Sequence, residues 1–217
     1  MNLNHYYWHF TSALSDRLCD EIVKYGYQQK LYKGTTGDTY LKKNLKKDGS
    51  LKKSAQKSIS KTRNSNIVFL NDTWIYKEIL PYVHTANKNA GWNFDWDWSE
   101  SCQFTEYSTN QHYDWHCDSW IKPYDDPNEQ SSFGKIRKLS VTVSLTNSNN
   151  YEGGDLEFDF RNYKYDKDKR KTQQICKEIR PRGSIVVFPS FVYHRVTPVT
   201  KGVRNSLVIW NLGYPFK

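Results

Sequence analysis

Cysteine is scarce in this chain of 217 residues, and the four that occur are scattered along it. Cys19, Cys102, Cys117 and Cys176 form no C-x-x-C pair, which excludes the usual ligand spacing of a zinc finger. Four dispersed cysteines also do not indicate a disulfide framework. We therefore expect reduced thiols.

Long apolar runs are missing as well. Mean hydropathy is −0.86, and no stretch approaches the roughly 18 apolar residues that a membrane helix needs. The first ten residues lack the basic start and the continuous apolar segment of a secretory signal. These absences predict a soluble protein with a cytoplasmic location and no membrane partner. The length suits a single domain over residues 1–217.

Aromatic residues are abundant, with 16 Tyr and 8 Trp. Ser15 and the segment Asn71-Asp72 are suited to begin two helices, the second running to about residue 87, and both helices lie within residues 1–91. From residue 92 onward, short runs rich in β-branched and aromatic residues predict antiparallel strands. The predicted strands cover residues 93–98, 102–107, 113–117, 138–146, 155–160, 175–180, 184–188, 194–199 and 204–212. Nine short strands with flanking N-terminal helices predict a mainly β fold, a double-sheet jelly roll or barrel over 92–217.

The net charge of +9 is unevenly distributed. Residues 42–63 hold eight Lys and Arg63 against one carboxylate, Asp48, and their polarity predicts a basic loop. Residues 91–130 hold nine carboxylates against one cation, Lys122. Since the candidate ligands described next lie within this acidic stretch, the charge pattern disfavours a nucleic-acid substrate.

Three residues have the types and spacing of a metal site. His116 and Asp118 form an H-x-D pattern, which one strand would present on a single face. His194 follows a second predicted strand. Each is weak evidence by itself, but two imidazoles and one carboxylate are the ligands that hold non-haem Fe(II) while leaving positions open for O2 and a cosubstrate.

A cation after the distal histidine fits the same chemistry. A 2-oxo acid such as 2-oxoglutarate supplies two electrons for O2 reduction, and its remote carboxylate needs a fixed cation, for which Arg204 is suited. We expect the Arg204 strand to pair beside the His194 strand. Tyr107 and Ser206 are candidates to donate hydroxyl hydrogen bonds to that carboxylate. Trp210 is a candidate for the cosubstrate pocket, although a core role is equally compatible with the pattern.

Several motifs together resemble a known family. They are residues 103–107, 111–118, 151–158 and 183–190, and the run from His194 to Ser206. In this order they are similar to the prolyl 4-hydroxylase-like branch of the 2-oxoglutarate and Fe(II)-dependent dioxygenases. Arg204, preceded by Thr200-Lys201-Gly202, is more similar to bacterial and viral members than to animal and plant enzymes, which use Lys. This departure argues against a collagen-type substrate.

The resemblance implies a double-stranded β-helix with His116, Asp118 and His194 as iron ligands. It implies Arg204 as the anchor of the cosubstrate's C5 carboxylate, with Tyr107 as its hydrogen-bonding partner. The cofactors would be Fe(II), 2-oxoglutarate and O2, with ascorbate as reductant. The reaction would be hydroxylation of a proline-containing peptide or protein, with release of succinate and CO2.

Two other functions stay open at this point. An AlkB-type demethylase would keep the cofactors and oxidise an alkylated base, which the basic stretch favours and the acidic stretch disfavours. The other possible function is that of a β-barrel protein that binds a metal or small ligand without catalysis. For residues 42–63, a solvated loop, a lid over a bound peptide and a nucleic-acid contact are the alternatives.

Overall fold

The computed structural model describes residues 5–36, 44–47, 50–119, 122–160 and 172–217. Within them lie three α-helices and fifteen strands. The helices are α1 (Asp16–Gln28), α2 (Lys53–Thr62) and α3 (Thr73–Asn89). In the described part of the chain, none of them is long and apolar enough to cross a bilayer.

The strands fall into two main sheets and one isolated pair. In chain order they are β1 (Trp8–Phe10), β2 (Tyr32–Lys33), β3 (Arg63–Asn64), β4 (Asn66–Leu70), β5 (Trp98–Ser99), β6 (Cys102–Tyr107), β7 (His112–His116), β8 (Ile136–Ser144), β9 (Tyr151–Gly153), β10 (Leu156–Asp159), β11 (Gln173–Ile175), β12 (Ile185–Pro189), β13 (Tyr193–Val196), β14 (Val199–Gly202) and β15 (Arg204–Gly213). The larger sheet has the order β1-β12-β8-β15-β6-β4-β2, with β5 also paired to β15. The smaller sheet has the order β11-β10-β13-β7-β3, and β14 pairs with β9.

The two sheets pack against each other through apolar side chains. Phe158 of the smaller sheet meets Phe188 of the larger one edge to face, with ring centroids 5.1 Å apart. Every strand pair within the sheets is antiparallel, as is usual in double-sheet jelly rolls. The predicted mainly β, double-stranded β-helix fold with flanking N-terminal helices is therefore confirmed.

Helices α1 and α3 cover the outer face of the larger sheet. Ser15 caps α1, since its Oγ accepts a hydrogen bond from the Leu18 amide. Gly26 lets α1 approach the sheet closely, because a Cβ at this position would lie 2.7 Å from the ring of Phe104. Helix α3 buries one stripe against the same core, formed by Ile75, Ile79, Val83 and Ala86. Both helices begin where the sequence predicted.

The first 91 residues contribute more than helices and a loop. Strands β1, β3 and β4 pair with β12, β7 and β6, so they cover strand edges of both sheets. The loop predicted over residues 42–63 is wrong in its second half, where α2 forms. Ala55 and Ile59 lie one turn apart on its inner side, and this short apolar stripe is hidden in the sequence by the surrounding lysines.

Three strand predictions also need correction. Over residues 93–98 only Trp98 joins a strand, and Asn93 has a φ of +51°, which interrupts extended backbone. The strand predicted over 175–180 ends at Ile175 and gives way to a 3-10 turn at Lys177–Ile179. The strand predicted over 194–199 is divided at Pro198, which has no N–H to donate to a neighbouring strand.

Candidate metal centre and active-site cavity

His116, Asp118 and His194 meet in the smaller sheet. His116 ends β7 and lies opposite His194 of β13 in the strand pairing. Asp118 follows β7 by two residues, so it lies just beyond the strand rather than on it. Its Oδ1 is 3.8 Å from His116 Nε2, and its Oδ2 is 3.6 Å from His194 Nε2. Ligand atoms of all three residues lie within 4.8 Å of one another, which is close enough to bind one ion.

The two imidazoles present the same nitrogen to the centre. His116 Nδ1 is 2.7 Å from the carbonyl oxygen of Asp114, and His194 Nδ1 is 3.0 Å from that of Val192. A carbonyl oxygen only accepts, so each Nδ1 carries the proton and donates it. Each Nε2 is therefore left with a lone pair for a metal, and the hydrogen bonds fix both rings in orientation.

The electrostatics of the three groups suit a cation. Burial lowers the pKa of His116 to about 3, and the nearby His194 acts in the same direction. Burial alone would raise the pKa of Asp118, but His194, His116, Arg137 and a hydrogen bond from Ser140 together lower it. At neutral pH the centre therefore offers a neutral imidazole at His116, protonated on Nδ1 only, and a carboxylate at Asp118.

Asp118 is held from the larger sheet. Ser140 Oγ of β8 donates a 2.7 Å hydrogen bond to its Oδ2, and Ser140 Oγ is 2.9 Å from Ser190 Oγ. The backbone N–H of Asp118 donates to the carbonyl oxygen of Ser190 at 2.8 Å. The carboxylate is 7% exposed, and both contacts fix it toward the histidines.

A cavity of about 680 Å³ opens in front of the centre. Its lining includes His116 and Asp118, Trp210 and Arg137, and Ser58 and other residues of α2. Two imidazole nitrogens and a carboxylate, two of whose residues line a cavity, fit Fe(II) with open coordination positions. The residues present thus suit the metal that their types predicted.

Two buried side-chain donors in the described residues have no hydrogen-bond partner, and both belong to residues that line this cavity. They are Trp210 Nε1 and Arg63 Nη2. Buried polar groups are normally paired, because an unmet donor costs about 1–3 kcal/mol. The cavity therefore suits a ligand with hydrogen-bond acceptors.

Arg204, Tyr107 and Ser206 form a second cluster. Arg204 of β15 lies opposite Tyr107 of β6 in register, and its Cζ is 5.5 Å from the tyrosine ring centroid. Arg204 donates a long hydrogen bond of 3.3 Å to Ser206 Oγ, and it is only 3% exposed. No carboxylate of the described residues pairs with it. Burial raises the pKa of Tyr107, although Arg63 and Arg204 oppose this, so the phenol remains a donor.

The strand that carries Arg204 differs from our expectation. We placed it beside the His194 strand, but β15 lies between β6 and β8 in the larger sheet, whereas β13 belongs to the smaller one. After Pro198 the chain forms β14 against β9 and then crosses to the larger sheet. Arg204 thus lies on the larger sheet, whereas His194 lies on the smaller one.

Trp210 is packed against a neighbouring side chain and also lines the cavity. It is 6% exposed and has the guanidinium of Arg137 3.9 Å from its ring centroid, which is a packing role. Trp210 lines the cavity, and its Nε1 is buried without a hydrogen-bond partner. Arg137 itself is held by Glu100, with a 2.6 Å contact from Nε to Oε1.

The acidic residues that surround His116 and Asp118 in the sequence do not surround the cavity in the structure. Among the described residues that line it, Asp118 is the single carboxylate. Glu100 pairs with Arg137, Asp97 pairs with Lys135, and Glu106 accepts from Asn66 at 2.7 Å. The acidic setting inferred for the site is therefore wrong, because none of these three carboxylates lines the cavity and each of them contacts another side chain.

Arg63 is the site residue that the sequence reasoning missed. Its Cζ lies 4.6 Å from the ring centroid of Tyr113, and that ring stacks on His116 with centroids 3.5 Å apart. In the sequence, Arg63 is one more cation at the end of a basic stretch. Nothing local distinguishes it, since its position depends on β3 pairing with β7.

Comparison with known proteins identifies similarity to one protein family. Residues 102–211, half of the chain, match the model of the 2OG-Fe(II) oxygenase superfamily. A PKHD-type hydroxylase of Synechococcus sp. strain CC9902 is 36% identical over 103 residues, which are 47% of this chain and 36% of that protein. The PKHD-type hydroxylase YbiX of Escherichia coli O157:H7 is 32% identical over 108 residues, 49% of this chain and 40% of that protein. The matched region thus spans about two fifths of these relatives.

Solved structures share the fold over nearly the whole chain. A viral collagen prolyl hydroxylase from Paramecium bursaria Chlorella virus-1, solved with 2OG, has a TM-score of 0.61 at 19% identity and covers 97% of both chains. A Pseudomonas putida prolyl-4-hydroxylase has a TM-score of 0.63 at 17% identity, covering 96% of this chain and 93% of its own. With the family model matching the segment that holds His116, Asp118, His194 and Arg204, the chain belongs to the 2OG-Fe(II) oxygenase superfamily.

Proposed function

We propose that this protein is a 2-oxoglutarate- and Fe(II)-dependent dioxygenase that hydroxylates a peptide or protein, at proline, and releases succinate and CO2. The observation that carries the proposal is the presence of two features in the described residues. One is the triad of His116, Asp118 and His194, and the other is the buried, acid-free guanidinium of Arg204. A metal site and a separate buried cation match the two ends of a 2-oxo dicarboxylate.

The side chains have distinct tasks in this proposal. His116, Asp118 and His194 would hold Fe(II) through two imidazole nitrogens and one carboxylate. When bound, Fe(II) and 2-oxoglutarate supply the O2-dependent oxidation of a C–H bond, with ascorbate as an external reductant. Arg204 binds the remote carboxylate by charge-assisted hydrogen bonds, and Tyr107 and Ser206 add hydroxyl groups beside it.

The cavity walls orient the cosubstrate and limit the access of water. Trp210 contributes an apolar ring and the free Nε1 donor, and its contact with Arg137 keeps the ring in place. Ser140 and Ser190 keep the Asp118 carboxylate directed at the ion. Because both sheets contribute to this arrangement, we also infer that residues 1–217 act as one domain. The cytoplasmic location stays a prediction.

The choice of a proline-containing substrate is supported by relatives and structural neighbours. The curated relatives are named PKHD-type hydroxylases, and the neighbours include prolyl hydroxylases from a virus and a bacterium. A neighbour from Trichoplax adhaerens was solved with a hypoxia inducible factor peptide, at a TM-score of 0.58 and 15% identity. These likenesses favour peptide oxidation over other reactions of the superfamily.

An AlkB-type demethylase is the second candidate, and one observation favours it. The charged side chains that line the cavity are Arg63 and Arg137 against Asp118, so the charge objection to nucleic acid that the sequence raised does not hold at the cavity. No feature of the described residues favours a metal-binding protein without catalysis, because the triad and the buried guanidinium are both in place.

Purified protein with Fe(II), ascorbate and 2-oxoglutarate should release succinate and add 16 Da to proline-containing peptides, as measured by mass spectrometry. Asp118→Ala should abolish both signals. Asp20→Ala is the matched control, since it removes an exposed α1 carboxylate far from the cavity, and it should retain them. If methylated oligonucleotides are demethylated and no peptide gains oxygen, the peptide assignment is wrong. If no succinate forms under any condition, the dioxygenase assignment fails.

A further inference from the structure

Two of the seven arginines in the described residues are buried without a carboxylate partner. Arg17, Arg137, Arg180, Arg182 and Arg195 all form ion pairs with Asp or Glu. Arg63 and Arg204 do not, although they are only 6% and 3% exposed. In the proposed function Arg204 binds the remote carboxylate of 2-oxoglutarate. Arg63 then has no assigned partner, because both carboxylates of 2-oxoglutarate already have one in the proposed function.

Arg63 is held rigidly beside the metal centre. Its Nε donates to Ser65 Oγ at 3.0 Å, and its Nη1 donates to the carbonyl oxygen of Thr35 at 2.9 Å. Its guanidinium lies over Tyr113, which stacks on the iron-ligand candidate His116. Arg63 lines the cavity, and its remaining nitrogen, Nη2, is buried without a hydrogen-bond partner.

Arg63 lacks an anion to neutralise its charge, just as its Nη2 lacks a hydrogen-bond acceptor. Both of its present partners are neutral oxygen atoms, and a guanidinium keeps its positive charge in proteins. Removing such a charge from water costs several kcal/mol unless an anion compensates it. A carboxylate meets both needs, since it accepts a hydrogen bond from Nη2 and neutralises the charge.

Helix α2 extends this positive field from the cavity to the surface. Lys53, Lys57 and Lys61 follow one another at four-residue spacing and are all exposed. The helix contains no Asp or Glu, and none of the three lysines forms an ion pair within the described residues. Ser58 and Ile59 of the same helix line the cavity. An acidic ligand would thus meet attractive charge from the helix surface inward to Arg63.

We propose that Arg63 binds a carboxylate of the substrate, so that the hydroxylated peptide carries an acidic group close to the oxidised residue. The inference rests on the proposed function. Because the ring of Tyr113 contacts both Arg63 and His116, we expect the carboxylate within about three residues of the target, at a rise of roughly 3.3 Å per residue in extended chain. An Asp or Glu side chain and a free C-terminus carry the same chemistry.

Peptide pairs test this proposal directly. One arm compares Glu with Gln at each of the three positions on either side of proline, with both peptide ends blocked. A second arm compares free and amidated C-termini on the Gln peptides. Binding to the protein loaded with Mn(II) and 2-oxoglutarate is measured by fluorescence anisotropy, which needs no oxidation. One acidic peptide should bind about tenfold or more tightly than its neutral partner, as expected for a charge-assisted contact.

Variants then assign the preference to Arg63. Arg63→Gln should bring the ratio of acidic to neutral affinity close to one and leave the KM for 2-oxoglutarate unchanged. Arg63→Lys should retain part of the ratio, because the charge remains. Arg17→Gln makes the same change at an exposed site on α1 and should leave the ratio intact. Circular dichroism and urea unfolding show whether each variant is folded.

Several results would overturn the proposal. Equal binding of every acidic and neutral pair by the wild type would do so, as would an acidic preference that survives Arg63→Gln. A raised KM for 2-oxoglutarate in Arg63→Gln would assign Arg63 to the cosubstrate instead. Tighter binding of a single-stranded oligonucleotide than of any acidic peptide would favour nucleic acid. Succinate release in the absence of peptide is measured separately, so a failure of the dioxygenase chemistry is distinguished from a failure of acidic recognition.

Discussion

Ser140 donates a 2.7 Å hydrogen bond to Asp118, and this contact links the central part of the larger sheet to the metal-ligand candidates of the smaller one. Both residues are buried. The acceptor, Oδ2, is also the oxygen that lies 3.6 Å from His194 Nε2. Ser140 therefore decides which way this carboxylate points when an ion binds.

Replacing Ser140 with Ala should weaken metal binding without abolishing it. Loss of a hydrogen bond to a ligating carboxylate typically lowers metal affinity by about 10- to 100-fold. Competition with a calibrated chelator measures the affinity, and urea unfolding checks the fold. Ser132→Ala, on an exposed turn, is the control. Unchanged affinity in Ser140→Ala would mean that the sheet alone orients Asp118.

The metal-free protein should lose stability as the pH falls below about 6.5. The folded pKa of His116 is lowered to about 3, whereas an unfolded histidine has a value near 6.5. Between these values the unfolded chain binds a proton that the folded chain does not, so stability falls with falling pH. The lowered pKa of Asp118 acts in the same direction at lower pH, because its stabilisation is lost as the carboxylate is protonated.

Urea unfolding in the presence of a chelator measures this effect. Between pH 7.5 and 5.5 the free energy of unfolding should fall by about 1 kcal/mol through His116 alone. His116→Gln should show a smaller dependence on pH over the same range, whatever its absolute stability. An equal slope in both proteins would show that other groups cause the loss.

Arg204→Gln should raise the KM for 2-oxoglutarate by about a hundredfold, because a buried carboxylate would lose its charged partner. Metal affinity should not change, since Arg204 belongs to the larger sheet and touches none of the three ligand candidates in the described contacts. Initial rates of succinate release give the KM, and a chelator competition gives the metal affinity. Tyr107→Phe should show a smaller rise. A normal KM in Arg204→Gln would assign the anchor to another cation.

The parts of the molecule that follow from local pattern were predictable from the sequence. Strand β6 has both ends where its alternating residues placed them, at Cys102 and Tyr107. The H-x-D pattern and the distal histidine indicated a shared centre, and the structure brings the three residues together. In each case the information lies in neighbouring residues, where side-chain direction alternates with a fixed period.

Features that depend on distant pairing were not predictable. Arg63 reaches the cavity because β3 pairs with β7, fifty residues further along the chain. The sheet that carries Arg204 depends on the break at Pro198 and the crossing that follows, which the sequence pattern does not specify. Helix α2 was missed because only Ala55 and Ile59 mark its inner side. Trp120, which by its position two residues after Asp118 is a candidate for substrate stacking, lies outside the described residues.

Gly154 should prove necessary for the position of Arg204. Its φ is +61°, and a Cβ there would lie 3.0 Å from Arg204 Cδ and 2.9 Å from Val199 Cγ2. Gly154→Ala should therefore cost about 1 kcal/mol of backbone strain and also displace the guanidinium, which raises the KM for 2-oxoglutarate several-fold. Gly134 is a matched control, because its φ is +74° and its added Cβ would meet only Tyr214, at 3.5 Å. Gly134→Ala should lower the free energy of unfolding in urea but leave the KM for 2-oxoglutarate unchanged. Equal KM values in the two variants would argue against contact between residue 154 and Arg204.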